Sequence, residues 1–153
     1  MVARRILIDS NMLTLFIVGQ VAESHIVRFK KTSHYSFKDY LILCSYIDNY
    51  TQVIITPNIA TETSNLIGFL NGQYLKDARA FLANILSQWT EHYTTSSEAA
   101  SSPIYSRLGL TDAAIHHFTD NTTEVLTDDF DLYRALLDKQ VQVANFTHLR
   151  ELD

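Results

Sequence analysis

The feature that most constrains this chain is an alternation. Short apolar runs rich in β-branched residues, each closed by polar or turn-forming residues, are separated by stretches with helical spacing. The runs are Ile6-Leu7-Ile8 before Asp9-Ser10, Val53-Ile54-Ile55-Thr56 before Pro57-Asn58, Val125-Leu126-Thr127 before Asp128-Asp129, and Val141-Gln142-Val143-Ala144 before Asn145-Phe146. Runs this short and apolar are strands buried on both faces, and a helix after each strand returns the chain so that the next lies parallel. The expected fold class is therefore α/β, a three-layer α/β/α arrangement with a central, mostly parallel sheet of four or five strands.

The intervening stretches carry helical patterns. Residues 12–30 and 37–50 are dense in apolar positions, and 74–93 reads as a long amphipathic helix with Leu75, Ala78, Phe81, Leu82, Ile85, Leu86 and Trp89 inside. Residues 94–102, rich in Ser and Thr, loop or begin a helix near Glu98. After Gly109 a further helix opens, with Thr111 or Asp112 as its cap. A chain of 153 residues, 46% apolar, is one domain's worth, so a single domain over 1–153 is expected. The one cysteine, Cys44, sits among apolar neighbours as a packed thiol and fits a reducing compartment. The apolar run after Met1-Val2-Ala3-Arg4-Arg5 is too short for a secretory leader, and nothing reaches a membrane span, so a cytoplasmic protein is expected.

Net charge is -5 and unevenly spread. Residues 101–153 hold nine Asp and Glu against four Lys and Arg, which counts against a domain that binds nucleic acid by its global field alone. It does not count against a metal-dependent nuclease, because bound cations invert the local charge. The one basic segment is Arg28, Lys30, Lys31, His34 and Lys38, whose plainer explanation is a solvated helix end.

In a parallel sheet the carboxyl ends of all strands meet one edge, and ligands bind in the crevice there. Asp9 and the Asp128-Asp129 pair come to that edge whatever the strand order, and Glu62 follows the second strand within two helical turns. Asp112 opens a helix whose start can face the same edge, although capping explains a first-turn carboxylate as well. Carboxylates crowded together repel unless cations neutralise them, and oxygen ligands without His or Cys select Mg²⁺ or Mn²⁺ over Zn²⁺. The histidines at 25, 34, 92, 116, 117 and 148 follow no zinc spacing.

Taken together, Ile6-Leu7-Ile8-Asp9-Ser10-Asn11, Thr61-Glu62-Thr63-Ser64-Asn65-Leu66, Leu110-Thr111-Asp112-Ala113-Ala114-Ile115 and Val125-Leu126-Thr127-Asp128-Asp129-Phe130-Asp131-Leu132 resemble, in order and separation, the segments of the PIN-domain ribonucleases, the fold of VapC-like toxins. The resemblance implies a metal-dependent endoribonuclease with catalytic Asp9, Glu62, Asp112 and Asp129. Asp128 and Asp131 would be further acidic positions at the metal, with Thr127 and Asn11 accessory. Asp129 keeps the family's spacing from Thr127, and Asp128 could share its role. The resemblance further implies Mg²⁺ or Mn²⁺, products ending in 5′-phosphate and 3′-hydroxyl, an RNA substrate, a homodimer and a cognate antitoxin protein. The long stretch between the first two strands, residues 12–52, departs from small family members, and its basic segment could guide RNA or meet a partner. Residues 91–106 could hold an extra edge strand.

Two other classes compete. One is a non-catalytic PIN-like scaffold or partner-binding module. The other is a phosphatase-like or receiver-like domain, which would want an acid where Asn11 stands or a lysine after the last strand, where Ala144-Asn145-Phe146 stands.

Overall fold

The computed structural model describes residues 4–152; residues 1–3, part of the amino-terminal segment weighed above as a leader, and residue 153 lie outside the described residues. Five strands form one all-parallel sheet in the order β3-β2-β1-β4-β5, with helices on both faces. The strands are β1 (Arg5–Ile8), β2 (Gln52–Ile55), β3 (Thr90–Glu91), β4 (Thr123–Thr127) and β5 (Val143–Asn145). The first two strands are joined by α1 (Ser10–Val21), a 3-10 turn (Glu23–His25) and α2 (Phe37–Ile47), and the next two by α3 (Pro57–Ile67) and α4 (Gly72–Gln88). Three short helices, α5 (Ser96–Ala100), α6 (Tyr105–Leu108) and α7 (Leu110–Phe118), lead to β4, and α8 (Phe130–Asp138) and α9 (Phe146–Glu151) complete the chain.

The order has a consequence for function. From β1 the chain steps outward to β2 and β3, then crosses back to place β4 on the other side of β1. The winding reverses between β1 and β4, which leaves a crevice at their carboxyl ends. Leu7 is in register with Val125 and Ile8 with Leu126, and the Asp9 N–H continues the ladder to the Leu126 carbonyl at 3.2 Å.

α1 runs next to this crevice and is buried on nearly every side, because α2, α3 and α4 all pack on it. Such a helix needs apolar residues all round rather than a stripe, and Met12, Leu13, Leu15, Ile17 and Val18 supply them. At Gly19 the ring of Tyr40 comes so close that an added Cβ would stand 2.1 Å from its Cδ1. α7 packs on α5, α6 and α8 as a second group. Among the described residues no helix is long and apolar enough to cross a membrane.

Several local expectations are corrected. The helix expected over 12–30 ends at Val21, and the basic segment that follows is turns and bends from Arg28 to His34, with Lys38 in the first turn of α2; the buried Thr32 hydroxyl locks the turns by donating to the Ile26 carbonyl at 2.7 Å. The helix expected over 74–93 stops at Gln88, with Leu86 41% exposed rather than inside, and an edge strand forms at Thr90–Glu91, overlapping the expected 91–106 stretch only at Glu91; residues 92–106 hold short helices and turns instead. The cap of α7 is Gly109, at φ 89° and ψ 178°, not Thr111 or Asp112. That backbone region is essentially reserved for glycine.

Candidate functional site

A cleft of about 210 Å³ opens at the β1/β4 switch point, lined by Asp9, Ser10, Asn11, Glu62, Asp112 and Asp129 together with the Leu108–Thr111 turn. Its four carboxylates come from four elements: the end of β1, the middle of α3, the first turn of α7 and the end of β4. Among the described residues no lysine or arginine lines it.

Asp9 is the N-cap of α1 and is 7% exposed. One carboxylate oxygen accepts from the Met12 N–H at 3.0 Å and the other from the Thr127 hydroxyl. Burial is the main cause pushing its carboxyl up to about 7, the charge of Asp128 adds to it, and the Thr127 and Met12 donors hold it back. The Thr127 oxygen also accepts the Asp129 N–H at 3.0 Å, so one hydroxyl ties the two strand ends together.

Asp129 caps α8, with Oδ1 accepting from the N–H groups of Asp131 and Leu132 at 2.8 and 3.2 Å. Its Oδ2 has no donor among the described residues. Glu62 is held at both oxygens, by the Ser10 hydroxyl at 2.8 Å and by Thr111. Asp112 differs from the others: it is half-buried, and no hydrogen bond reaches its carboxylate from the described residues. Burial, followed by the charges of Asp129 and Glu62, raises it to about 7. A carboxylate in that position is relieved by a proton or by a cation.

The remaining sequence-derived candidates divide. Asn11 is on the cleft rim and donates to Asp128 at 3.4 Å. Asp128 does not line the cleft, because its other oxygen accepts from the hydroxyl of Tyr35, a ring that is 3% exposed. Burial and the nearby Asp128 push the Tyr35 hydroxyl well above the ordinary range for tyrosine. Asp131 is exposed in the first turn of α8 and outside the cleft. His116 and His117 face Ser102 and Glu98 instead.

Three contributors were not anticipated as such. Ser10 and Thr111 orient Glu62, and Tyr35 turns Asp128 aside. Ser10, adjacent to Asp9, had a positional cue, whereas Tyr35 lies 93 residues from Asp128 and had none. Tyr35 also borders the roomier cavity next door, about 460 Å³, where Arg150 stacks over its ring at 5.3 Å and binds Asp39 at 3.0 Å. That guanidinium is committed to a structural ion pair, whereas no lysine or arginine among the described residues lines the acidic cleft to offset its carboxylates.

The donor set fits a hard divalent cation in kind: all oxygen, acidic and short of positive partners. As the side chains stand, no group of three or more carboxylate, imidazole or thiol side chains among the described residues closes around one ion position. No protein-family model and no curated protein matches the chain.

Proposed function

We propose that this protein is a PIN-type, Mg²⁺- or Mn²⁺-dependent endoribonuclease, and the VapC-like toxin of a toxin-antitoxin pair. The observation that carries the nuclease reading is the convergence of Asp9, Glu62, Asp112 and Asp129 on one cleft at the switch point, with Asp112 half-buried and lacking a hydrogen-bond donor among the described residues. The toxin reading rests on the family resemblance alone.

Under this reading Asp9, Asp112 and Asp129 hold the metal, which when bound relieves charge on the phosphodiester oxygens and makes water more acidic. Glu62, steadied by Ser10 and Thr111, orients the attacking water and takes its proton. Asn11 offers an amide donor at the rim, and Thr127 keeps Asp9 and Asp129 at a fixed spacing. An open acidic cleft suits unpaired RNA, whose backbone can be bent toward it. The partners are RNA, a second copy of the chain and a cognate antitoxin that covers the acidic edge, and the compartment is the cytoplasm.

The test is incubation of purified protein with total RNA, in Mn²⁺ or in chelator, with mapping of the new ends. Cleavage is expected only with the cation, leaving 5′-phosphates, and is expected to vanish in Asp9→Asn and Asp129→Asn, changes that preserve both helix caps. Cleavage that survives both substitutions unaltered sinks the assignment. One observation favours the second reading, a non-catalytic scaffold or partner-binding module: Asp9, Glu62 and Asp129 all have internal donors and serve as caps or tethers. Calorimetry showing no uptake of Mg²⁺ or Mn²⁺ would decide for it.

A further inference from the structure

The acidic cleft continues beyond Glu62. Ser10, Asn11 and Glu62 also edge a cavity of about 320 Å³ whose far wall is Asn65, Leu66 and Phe69. Asn65 and Phe69 in turn line another, about 380 Å³, with Ser64, Gly68 and Arg79. A trench thus follows the outer face of α3, and the Phe69 ring stands between its two halves.

That ring is 66% exposed, while Ile67 and Leu70 on either side of it fill the core. The Lys31 ammonium sits 4.7 Å from its centroid, and the Arg79 guanidinium lies beside Gly68. Neither cation forms an ion pair among the described residues. In a chain of net charge -5, the trench therefore has carboxylates at one end and, at the other, an exposed ring with one cation over it and a second beside Gly68, neither in an ion pair among the described residues. A nucleotide strand laid along it would meet a π-surface for a base and positive charge for a phosphate. An apolar protein helix is a poorer match, since it would want a row of apolar side chains and finds Leu66 and one ring among Ser64, Asn65, Lys31 and Arg79.

We propose that Phe69 is the stacking platform of a subsite for an unpaired nucleotide of RNA flanking the cleft, with Lys31 and Arg79 supplying charge for its phosphate. Naming the occupant as RNA rests on the nuclease reading. Lys31 carries its charge on a flexible stem, so it can leave the ring for a phosphate when a base arrives.

Labelled single-stranded RNA titrated into the full chain in chelator measures the platform without cleavage. Phe69→Ala is expected to weaken binding about tenfold, within the usual loss for a stacking ring, and Phe69→Trp to restore it. The double change Lys31→Ala with Arg79→Ala is expected to lower the slope of log affinity against log salt by about 0.7, the single-strand value for one phosphate. With Mn²⁺ present, Phe69→Ala is expected to raise KM and spare kcat. RNA affinity equal in wild type, Phe69→Ala and Phe69→Trp overturns the proposal. So does an unchanged RNA affinity with a changed sedimentation mass in Phe69→Ala, which would make this face a contact between copies. If the wild type binds RNA through Phe69 yet never cleaves it, the nuclease reading fails and the platform stands. If it cleaves and Phe69→Ala leaves KM alone, the platform fails and the nuclease stands.

Discussion

Replacing Asp9 by asparagine removes a buried charge and keeps the shape around it, so it separates stability from chemistry. The Asp9 carboxyl sits at about 7 in the fold against an ordinary 3.8. At about 1.4 kcal/mol per decade of proton affinity, that difference is worth about 4 kcal/mol. Its sign follows from which state holds the proton. Between the two values the folded protein keeps a proton that the unfolded chain releases, so stability present at about pH 4 is lost as pH rises through 7. Asp112, also raised to about 7, deepens the fall over the same window. Asparagine does not titrate. It retains an acceptor for the Met12 N–H but leaves the Thr127 hydroxyl to find another acceptor, at a cost of about 1 kcal/mol. In chelator, Asp9→Asn is therefore expected to be slightly less stable than wild type at about pH 4 and about 3 kcal/mol more stable at about pH 8, roughly 6–12 °C in Tm. Denaturant melts across that range measure it, and millimolar Mg²⁺ or Mn²⁺ is expected to lift the wild type at high pH while barely moving the variant. An advantage for Asp9→Asn that is absent at high pH, or the same at both ends, refutes the reasoning.

Glu62→Gln tests the role given to the helical carboxylate: its exposed position predicts a Tm close to wild type, with RNA cleavage reduced about 10²- to 10⁴-fold in single-turnover assays. Tyr35→Phe removes the hydroxyl that holds Asp128, and urea melts should show a loss of about 1–3 kcal/mol. Cation uptake measured by calorimetry should persist in that variant, since Asp128 is outside the cleft. Gly109→Ala has room for its methyl group but not for its backbone angle, so about 1–3 kcal/mol of strain is expected in the same melts. Because Gly109 sets the start of α7, cleavage should fall in that variant more than in a surface glycine change such as Gly72→Ala.

Most of the sheet was legible in the sequence because its four main strands are short β-branched runs with turn signals at their ends. β3 was less so: Thr90–Glu91 is two exposed residues with no apolar pattern, and only its pairing to Ile54 and Ile55 makes it a strand. The edge location of Asp9 and Asp129 could be argued before the fold was known, since parallel strands share one carboxyl edge. Their adjacency could not, because it depends on β4 crossing back to pair with β1. The spacing from Thr127 already favoured Asp129 over Asp128, and the structure puts Asp129 on the cleft. The contact that turns Asp128 aside was not legible, since no spacing rule links Tyr35, a turn residue before α2, to a strand end 93 residues later.

Capping was weighed as the rival explanation for Asp112, but the caps fall on Asp9 and Asp129, and there the geometry makes capping and metal binding compatible. Asp129 uses one oxygen for two backbone N–H groups and leaves the other without a donor among the described residues, while Asp9 uses one oxygen for the cap and shares the other with Thr127. A carboxylate oxygen has more than one acceptor site, so neither cap exhausts its residue. The caps fix Asp9 and Asp129 on rigid strand ends, while burial lifts Asp9 and, in the first turn of α7, Asp112 to about 7. A site whose unrelieved charge sits on residues held by strand and helix termini differs from an acidic loop, where side chains simply turn to solvent. That difference is why the cleft, rather than the chain's overall acidity, carries the functional reading.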